Sequence, residues 1–402
     1  MTAKSYDFAI VGGGMAGLTM ALLLAPVLTR FKKTLVLIEA FNPNAGQYQP
    51  SFDARSTALS EGTRQILEEM GIWPSIAQQV CPINKIHVSQ KGGFGATRIY
   101  ADDVDVDALG YVVENGWLGH QLMAAVSDLD CISWLAPARV QAVATIAQGS
   151  RLTLEDGAEI ETGFLMVADG AQSSLRAMLG IHAEKTPYHQ HALVCNVETR
   201  LPHQNVAYER FTPNGPLALL PLTEHRSALI WSVPEAQVEG RMAMSEREFK
   251  SLLELEFGTR LGPIVKVGER ASYPLNLMLV SDQVQPGVVL LGNSAHALHP
   301  VAGQGFNLII RDLVCLSQSI ETRLESQLSL LKLEWLTDYQ QHRYMDQWLT
   351  TSFSHWLIEL FSNDHKWLTR MRELGLIALD CVAPAKSTFA RQAMGMGLGS
   401  AN

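Results

Sequence analysis

Three glycine-bearing stretches carry residues suited to gripping a phosphate or an electron-rich ring. The first is Gly12-Gly13-Gly14-Met15-Ala16-Gly17, which satisfies GxGxxG immediately after Val11. Gly12 allows a tight turn, Gly14 leaves no side chain between the backbone and a pyrophosphate, and Gly17 lets a helix pack close to its strand. Met15 and Ala16 open that helix, whose unbonded N–H groups attract negative charge. Glu39 closes the next strand about 20 residues later, where a carboxylate can accept ribose hydroxyls. The second stretch runs from Val167 to Arg176 and places Asp169 before a glycine. A simple Asp-Gly turn with a serine capping a helix would use the same residues. The third, Gly292-Asn293-Ser294-Ala295-His296-Ala297-Leu298-His299-Pro300-Val301-Ala302-Gly303-Gln304-Gly305-Phe306-Asn307, leaves amides free at a second helix start.

Each motif needs elements to hold it. Apolar Phe8–Val11 and Leu35–Ile38 around an apolar helix over Ala16–Leu28 read as a parallel βαβ unit. A helix over Gly62–Met70 stops at Gly71, and residues 117–127 also read helical. Segments 138–145, 151–155 and 159–166 are strand-like, with Glu155-Asp156-Gly157 as a hairpin turn. From 190 to 275 strands dominate, interrupted by a helix near Ser245–Phe257; Val288–Leu291 is one more buried strand, and the chain then reads helical from Gln304 to near Pro384. Gly93-Phe94-Gly95 looks like another phosphate loop, but Arg98 occupies the third glycine's place and strands flank it, so it reads as a hairpin turn. The order predicts an α/β fold. A Rossmann-like nucleotide-binding domain (1–80, 101–180 and 276–335) is interrupted by a mostly antiparallel β-sheet domain (81–100 and 181–275), and a helical region follows (336–402).

Composition removes several function classes. A formal net charge of −9 and the lack of a basic, aromatic-interleaved stripe make nucleic acid a poor partner. Five scattered cysteines form no CxxC pair, as suits reduced thiols in a cytoplasmic protein. His296 and His299 have no third ligand at metal spacing, so no metal is expected. No GxSxG elbow is present.

Over roughly residues 5–320 the three motifs, in this order, resemble the aromatic-ring hydroxylases, single-component FAD monooxygenases of the p-hydroxybenzoate hydroxylase type. His299–Asn307 and Phe211–Pro221 (FTPNGPLALLP) are similar to the ubiquinone-biosynthesis hydroxylases within that family. The resemblance implies FAD as cofactor, NAD(P)H as reductant and O2 as co-substrate. Without a second dinucleotide fingerprint, the nicotinamide would bind transiently. Gly12, Gly14, Met15, Ala16 and Gly17 would cradle the diphosphate and Glu39 would bind the adenosine ribose. Arg55, Gln121 and Asp169 match further FAD contacts, and Asn293 would face the ribityl chain or pyrophosphate. Pro300, Gly303, Gln304, Gly305, Phe306 and Asn307 would border the flavin ring, Pro300 and Gly303 closest to the chemistry. Asn293 stands where most of the family has Asp, keeping an acceptor while losing the charge. Ile309 and Gly116 also depart, standing where Gly and Arg are usual.

The implied substrate is a lipophilic phenol, 2-polyprenyl-6-methoxyphenol, whose electron-rich ring receives one oxygen atom from O2. A flavin-dependent polyprenyl reductase and a non-catalytic FAD-binding subunit remain as alternatives. No side chain is singled out for deprotonating the phenol; Tyr208, Glu209 and Arg210 could reach a pocket or line a solvated sheet face. The Trp-, Leu- and Phe-rich stretches Trp348–Phe361 and Trp367–Leu379 read as helices packed on the enzyme body. Their alternative is a surface for peripheral contact with the inner membrane or for a ubiquinone-biosynthesis protein complex, with homo-oligomerisation left open.

Overall fold

The computed structural model describes residues 3–41, 55–93, 95–223, 225–298, 303–361 and 391. At its centre lies β1 (Lys4–Val11), followed by α1 (Met15–Phe31) and β2 (Leu35–Ile38). β1 runs parallel to β2 on one side and to the Glu159–Val167 strand on the other. Ile132–Leu135 extends this sheet beyond β2, and Val288–Leu290 extends it beyond Glu159–Val167, both in parallel. Strands covered on both faces need continuous apolar runs. The run Phe8-Ala9-Ile10-Val11 and all of β2 are buried accordingly.

One face of the sheet packs against Leu18, Met20, Leu24 and Leu28 of α1, together with Leu313, Leu316 and Ile320 of the Gln304–Glu325 helix. The other face is closed by the Val140–Ile146 and Gly149–Leu154 hairpin with Leu175 and Ile181. Gly149–Leu154 also turns back through Glu155–Gly157 onto Glu159–Val167, the expected hairpin turn, and the short Ser174–Met178 helix has the expected serine cap, since Ser173 Oγ accepts from Arg176 N at 3.0 Å.

A nine-stranded sheet forms the second layer. Its strands are antiparallel neighbours except Val206–Thr212, which runs parallel to Lys85–Gln90. Lys85–Gln90 and Ala96–Tyr100 pair as a hairpin, so strands flank the Gly93–Gly95 stretch on both sides and no helix follows it. The Glu246–Phe257 helix, capped by Ser245, seals one face through Phe249, Leu253 and Phe257 against Trp231, Leu219 and Leu229. The opposite face turns toward the nucleotide-binding layer.

Three boundaries differ from the sequence reading. Val80–Ile83 does not join the large sheet: it pairs with Gly110–Glu114, which pairs in turn with Ser56–Ser60, in a three-stranded sheet wedged between the layers. A four-residue strand with Pro82 inside carries no signal for its partner. The large sheet also continues past residue 275, because Ala271–Leu279 lies beside Glu184–Thr199 and His296–Ala297 adds a short strand at the edge. Finally, helix is not continuous from Gln304. Gln327 adopts φ +52° after the Gln304–Glu325 helix, Leu328 N closes onto Arg323 O, and a second helix begins at Leu333 and runs to Phe361. Among the described residues no helix is long and apolar enough to cross a membrane.

Candidate cofactor site

The first glycine turn is built by contact distances that leave no room for a Cβ. Gly12 has φ +112°, and a methyl group there would meet Ala168 O at 2.3 Å. A methyl at Gly17 would meet Gly12 O at 1.9 Å. The turn is thus pressed between its own helix and the end of the Glu159–Val167 strand, where the Asp169 loop begins. Gly14 caps α1 in extended conformation without a side-chain cap, so the first-turn amides of Met15, Ala16 and Gly17 have no partner within the helix. Glu39, buried at the end of β2, accepts from Gly13 N at 2.5 Å and from Phe41 N at 2.8 Å. A carboxylate has lone pairs beyond these two bonds, so it can still receive hydroxyl donors.

The second and third motifs meet the first. A Cβ on Gly292, at φ +59°, would lie 2.8 Å from the Ala16 side chain, so the Gly292 turn abuts the start of α1. Arg176 fastens the two loops together: Nη1 donates to Ser294 O at 2.9 Å and Nη2 to Ala171 O at 3.0 Å. Ser294 Oγ donates to Val167 O at 2.6 Å and accepts from Leu291 N at 3.1 Å, anchoring the turn to the neighbouring strand. Arg176 and Ser294 were not among the expected site residues. The bonds that join the loops, Arg176 to Ser294 O and Ser294 to Val167 O, span 118 and 127 residues, which no local spacing rule identifies.

Asp169 Oδ2 accepts from Leu175 N at 3.2 Å, while Oδ1 is buried without a hydrogen-bond partner. Burial pushes its carboxyl above the usual value against the opposing pull of Ser173, Leu175 N and Arg176. Asn293 shows the reverse: its side chain is exposed at the rim between the two loops.

The third motif ends on a third close approach. Gly303 caps the Gln304–Glu325 helix at φ +63°, and a Cβ there would meet the Ala58 side chain at 2.9 Å. Gly305 faces open space, leaving the helix start accessible. Gln304 is buried, and Phe306 packs against the core beneath α1. Asn307 does not border an open cavity. Its Oδ1 accepts from Ser60 N at 2.8 Å and Thr63 Oγ1 at 2.7 Å, while Nδ2 donates to Ala58 O at 2.9 Å and Gly303 O at 2.8 Å. With both ends of its amide spent on four groups, Asn307 fixes the helix start to the wedge sheet. Pro300 lies outside the described residues, as do His299, Val301 and Ala302.

Two further expected contacts come from other elements. The Arg55 guanidinium stacks 4.6 Å from the Tyr273 ring centroid, on the large sheet. Gln121, on the Asn115–Ser127 helix, meets its neighbour His120, Nε2 to Nδ1 at 3.3 Å. His296 Nε2 is hydrogen-bonded to Asp312 Oδ2 at 2.7 Å.

Comparison with known proteins fits this geometry. A family described as FAD binding domain matches residues 5–343. The chain belongs to that family. Its relatives include ubiquinone hydroxylase UbiL of Rhodospirillum rubrum, 33% identical over 98% of this chain and 90% of that protein. Another is 3-demethoxyubiquinol 3-hydroxylase of Escherichia coli, 29% identical over 98% of this chain and 100% of that one. Among solved structures, p-nitrophenol 4-monooxygenase PnpA from Pseudomonas putida has the same fold, with a TM-score of 0.80 at 15% identity over 99% of this chain and 100% of that one. The expected p-hydroxybenzoate hydroxylase-like architecture is therefore present. The protein is an FAD-dependent aromatic monooxygenase, using NAD(P)H and O2 as its class does.

The residues of these three loops fit that cofactor. Bare amides at α1 suit a diphosphate, the unpartnered Asp169 oxygen and the exposed Asn293 amide suit hydroxyl groups, and the open side of Gly305 suits a flat ring. When bound, the flavin supplies hydride acceptance and activation of O2. The chain's part is to press three backbone turns together, exclude water and orient the ring that reacts.

Proposed function

We propose that this enzyme hydroxylates the aromatic ring of a polyprenyl phenol in ubiquinone biosynthesis, converting 2-polyprenyl-6-methoxyphenol to the corresponding 1,4-benzoquinol. Near-full-length likeness to a ubiquinone hydroxylase supports the pathway. The observation that carries the substrate class is the face of the large sheet turned toward the cofactor loops. Ala192, Val194, Ala218, Ala228 and Ile230 line it, giving a floor of small apolar side chains on which a phenol and the start of a prenyl tail can lie. In the same reading Gly12, Gly14, Met15, Ala16, Gly17 and Glu39 hold the adenosine diphosphate end of FAD. Asp169 and Asn293 hold its middle, and Gly303 to Phe306 hold its flavin end.

The test is oxygen-18 incorporation. Holoenzyme given NAD(P)H, a 2-polyprenyl-6-methoxyphenol and labelled O2 is expected to yield product heavier by one labelled atom. Product without label favours a reductase, and FAD binding with no substrate-stimulated NAD(P)H oxidation favours a non-catalytic subunit; either result sinks the hydroxylase reading.

A lipophilic tail has to arrive from somewhere. Exposed Tyr344, Met345, Trp348 and Leu349 near one another on the Leu333–Phe361 helix support peripheral contact with a membrane surface. Holoenzyme is expected to float with anionic phospholipid vesicles and Met345→Glu/Trp348→Glu protein to stay in solution; equal flotation of the two would remove this surface from consideration. Residues 362–390, which include the Trp367–Leu379 stretch, lie outside the described residues.

A further inference from the structure

Glu209 is a carboxylate with no described role. It sits on the Val206–Thr212 strand, between Tyr208 and Arg210, whose directions are settled by their contacts. The Tyr208 ring meets Phe257 edge-on at 5.4 Å, and Arg210 Nε donates to Glu256 O at 3.0 Å, so both turn toward the Glu246–Phe257 helix. Strand alternation sends Ala207, Glu209 and Phe211 to the other face. Ala207 on that face packs with Ala58, Val112 and Ile83 of the wedge sheet, and Ala58 is the residue against which Gly303 is pressed. Glu209 therefore lies two residues along from the place where substrate sheet and cofactor loop meet.

Its neighbours along the sheet are apolar. Glu209 is opposite Val88 on one side and Ala218 on the other; Ala218 is opposite Ile230, and Ile230 is opposite Val194. These side chains are the floor described above, with Glu209 at its edge. Glu209 itself is half-buried. The carboxylate thus lies on the sheet face turned toward the cofactor loops.

Among the described residues no charged group is paired with it. Among the described residues, its neighbours along this face of the sheet are Ile86 and Val88, Ala218 and Leu220, none of which titrates. Arg98, Arg210, Arg260 and Glu256 belong to the helix side, around His87 and Tyr208. On the carboxylate's side of the sheet Arg226 is paired with Glu114 at 3.3 Å, and Arg55 is stacked on Tyr273. The Leu333–Phe361 helix also meets the Gly215–Pro221 strand, but its Asp346 is paired with Arg311 and Arg343.

We propose that Glu209 is the catalytic carboxylate that accepts the hydrogen bond of the substrate's phenol and takes its proton. This rests on the phenol reading above. The phenol O–H bond breaks, the proton passes to a Glu209 oxygen, and the electron pair stays on the phenol oxygen, where it raises the ring's nucleophilicity; no redox change accompanies the transfer. Burial alone pushes the Glu209 carboxyl up to about 7, which makes it a stronger base than an ordinary carboxylate and still ionised above neutrality.

The test is equilibrium binding to oxidised holoenzyme, without reductant, of 2-decyl-6-methoxyphenol and of its methyl ether, which has no proton to give. For the phenol, affinity in the parent protein should fall about tenfold per pH unit below about 7 and level off above it. In Glu209→Gln it should be pH-independent and weaker at pH 8 by roughly tenfold to a hundredfold. The methyl ether should bind both proteins alike at every pH. Gln has the shape of Glu and removes an unpaired charge, so the variant is expected to keep its FAD and its melting temperature. A pH step that persists in Glu209→Gln, equal phenol affinity in the two proteins, or the same step with the methyl ether would overturn the assignment to Glu209. Failure of the parent protein to bind the phenol at any pH would overturn the phenol reading itself.

Discussion

Gly17→Ala protein is expected to purify colourless and to bind added FAD at least about a hundredfold more weakly than the parent chain, a loss of about 2.7 kcal/mol. The new Cβ would stand 1.9 Å from Gly12 O, and its obstacle is backbone, not the tip of a side chain that could swing away. Either α1 lifts from β1 or the Gly12 turn moves. Gly12 cannot retreat, because its own flank already touches the Ala168 carbonyl and the Asp169 amide. Overpacking of this kind costs about 1–3 kcal/mol in a core that can partly relax, and here the strain falls on the amides that face the diphosphate. Gly240→Ala, in a short helix with nothing near its Cβ position, is the control that should stay yellow. The measurement is flavin absorbance per protein, followed by calorimetric titration of apoprotein with FAD. Parent-level flavin in Gly17→Ala would mean that close packing of helix on strand does not shape this site.

That prediction comes from a part of the chain the sequence exposes well. β1, α1 and β2 are legible because buried parallel strands leave unbroken apolar runs, and because the Gly12 turn needs φ +112°, which glycine alone adopts readily. The Asp169 turn and the Gly292–Asn307 loop are legible as motifs for similar reasons. Which residues would meet across these loops is not. Asn307 and Ser60 are joined at 2.8 Å across most of the chain, and nothing in either local sequence names the other. Asn307 accordingly looked like a flavin contact when its amide is fully used in holding the Gln304–Glu325 helix to the wedge sheet. Alternation around Glu209 shows that Tyr208 and Arg210 face one way and Glu209 the other. It cannot show which way the helix lies, and that decides whether the carboxylate faces the helix or the cofactor loops. The wedge sheet itself was missed, since its three strands are short and come from separate stretches of chain.

The same limit hides a buried charge cluster behind the third motif, and its removal should have the largest effect on stability. Asp312 lies on the buried side of the Gln304–Glu325 helix and accepts from Arg343 Nε at 2.6 Å and Gln347 Nε2 at 3.1 Å, besides its bond with His296. Arg343 is also paired with Asp346, which holds Arg311 at 2.8 Å. The cluster ties the last described helix to the helix that Gly303 begins and to the strand that leaves the Gly292 turn. Asp312→Ala strands Arg343 and His296 in a nearly dry interior, and loss of one partner from such a pair costs about 3–5 kcal/mol. Because Arg343 keeps Asp346, the expectation is the lower end, about 3 kcal/mol, with weaker retention of FAD as the Gly303 cap loosens.

The pH dependence has a definite sign. Burial by itself would raise the Asp312 carboxyl, but hydrogen bonds and charge from His296 and Arg343 outweigh it and hold the group below its ordinary value. A folded value below the unfolded one contributes stability that is complete above the unfolded pKa and disappears as pH falls through the folded one. The gap between parent and Asp312→Ala should therefore be full at pH 7 and shrink below about pH 4. Replacing both partners with apolar residues of similar size, Asp312→Leu with Arg343→Met, should recover part of the loss, since the desolvation of two charges is then avoided. Urea denaturation of the three proteins at pH 7 and at about pH 3 checks each step. An Asp312→Ala chain within about 0.5 kcal/mol of the parent at pH 7 would show that helix packing, and not this ion cluster, holds the flavin-side helix in place.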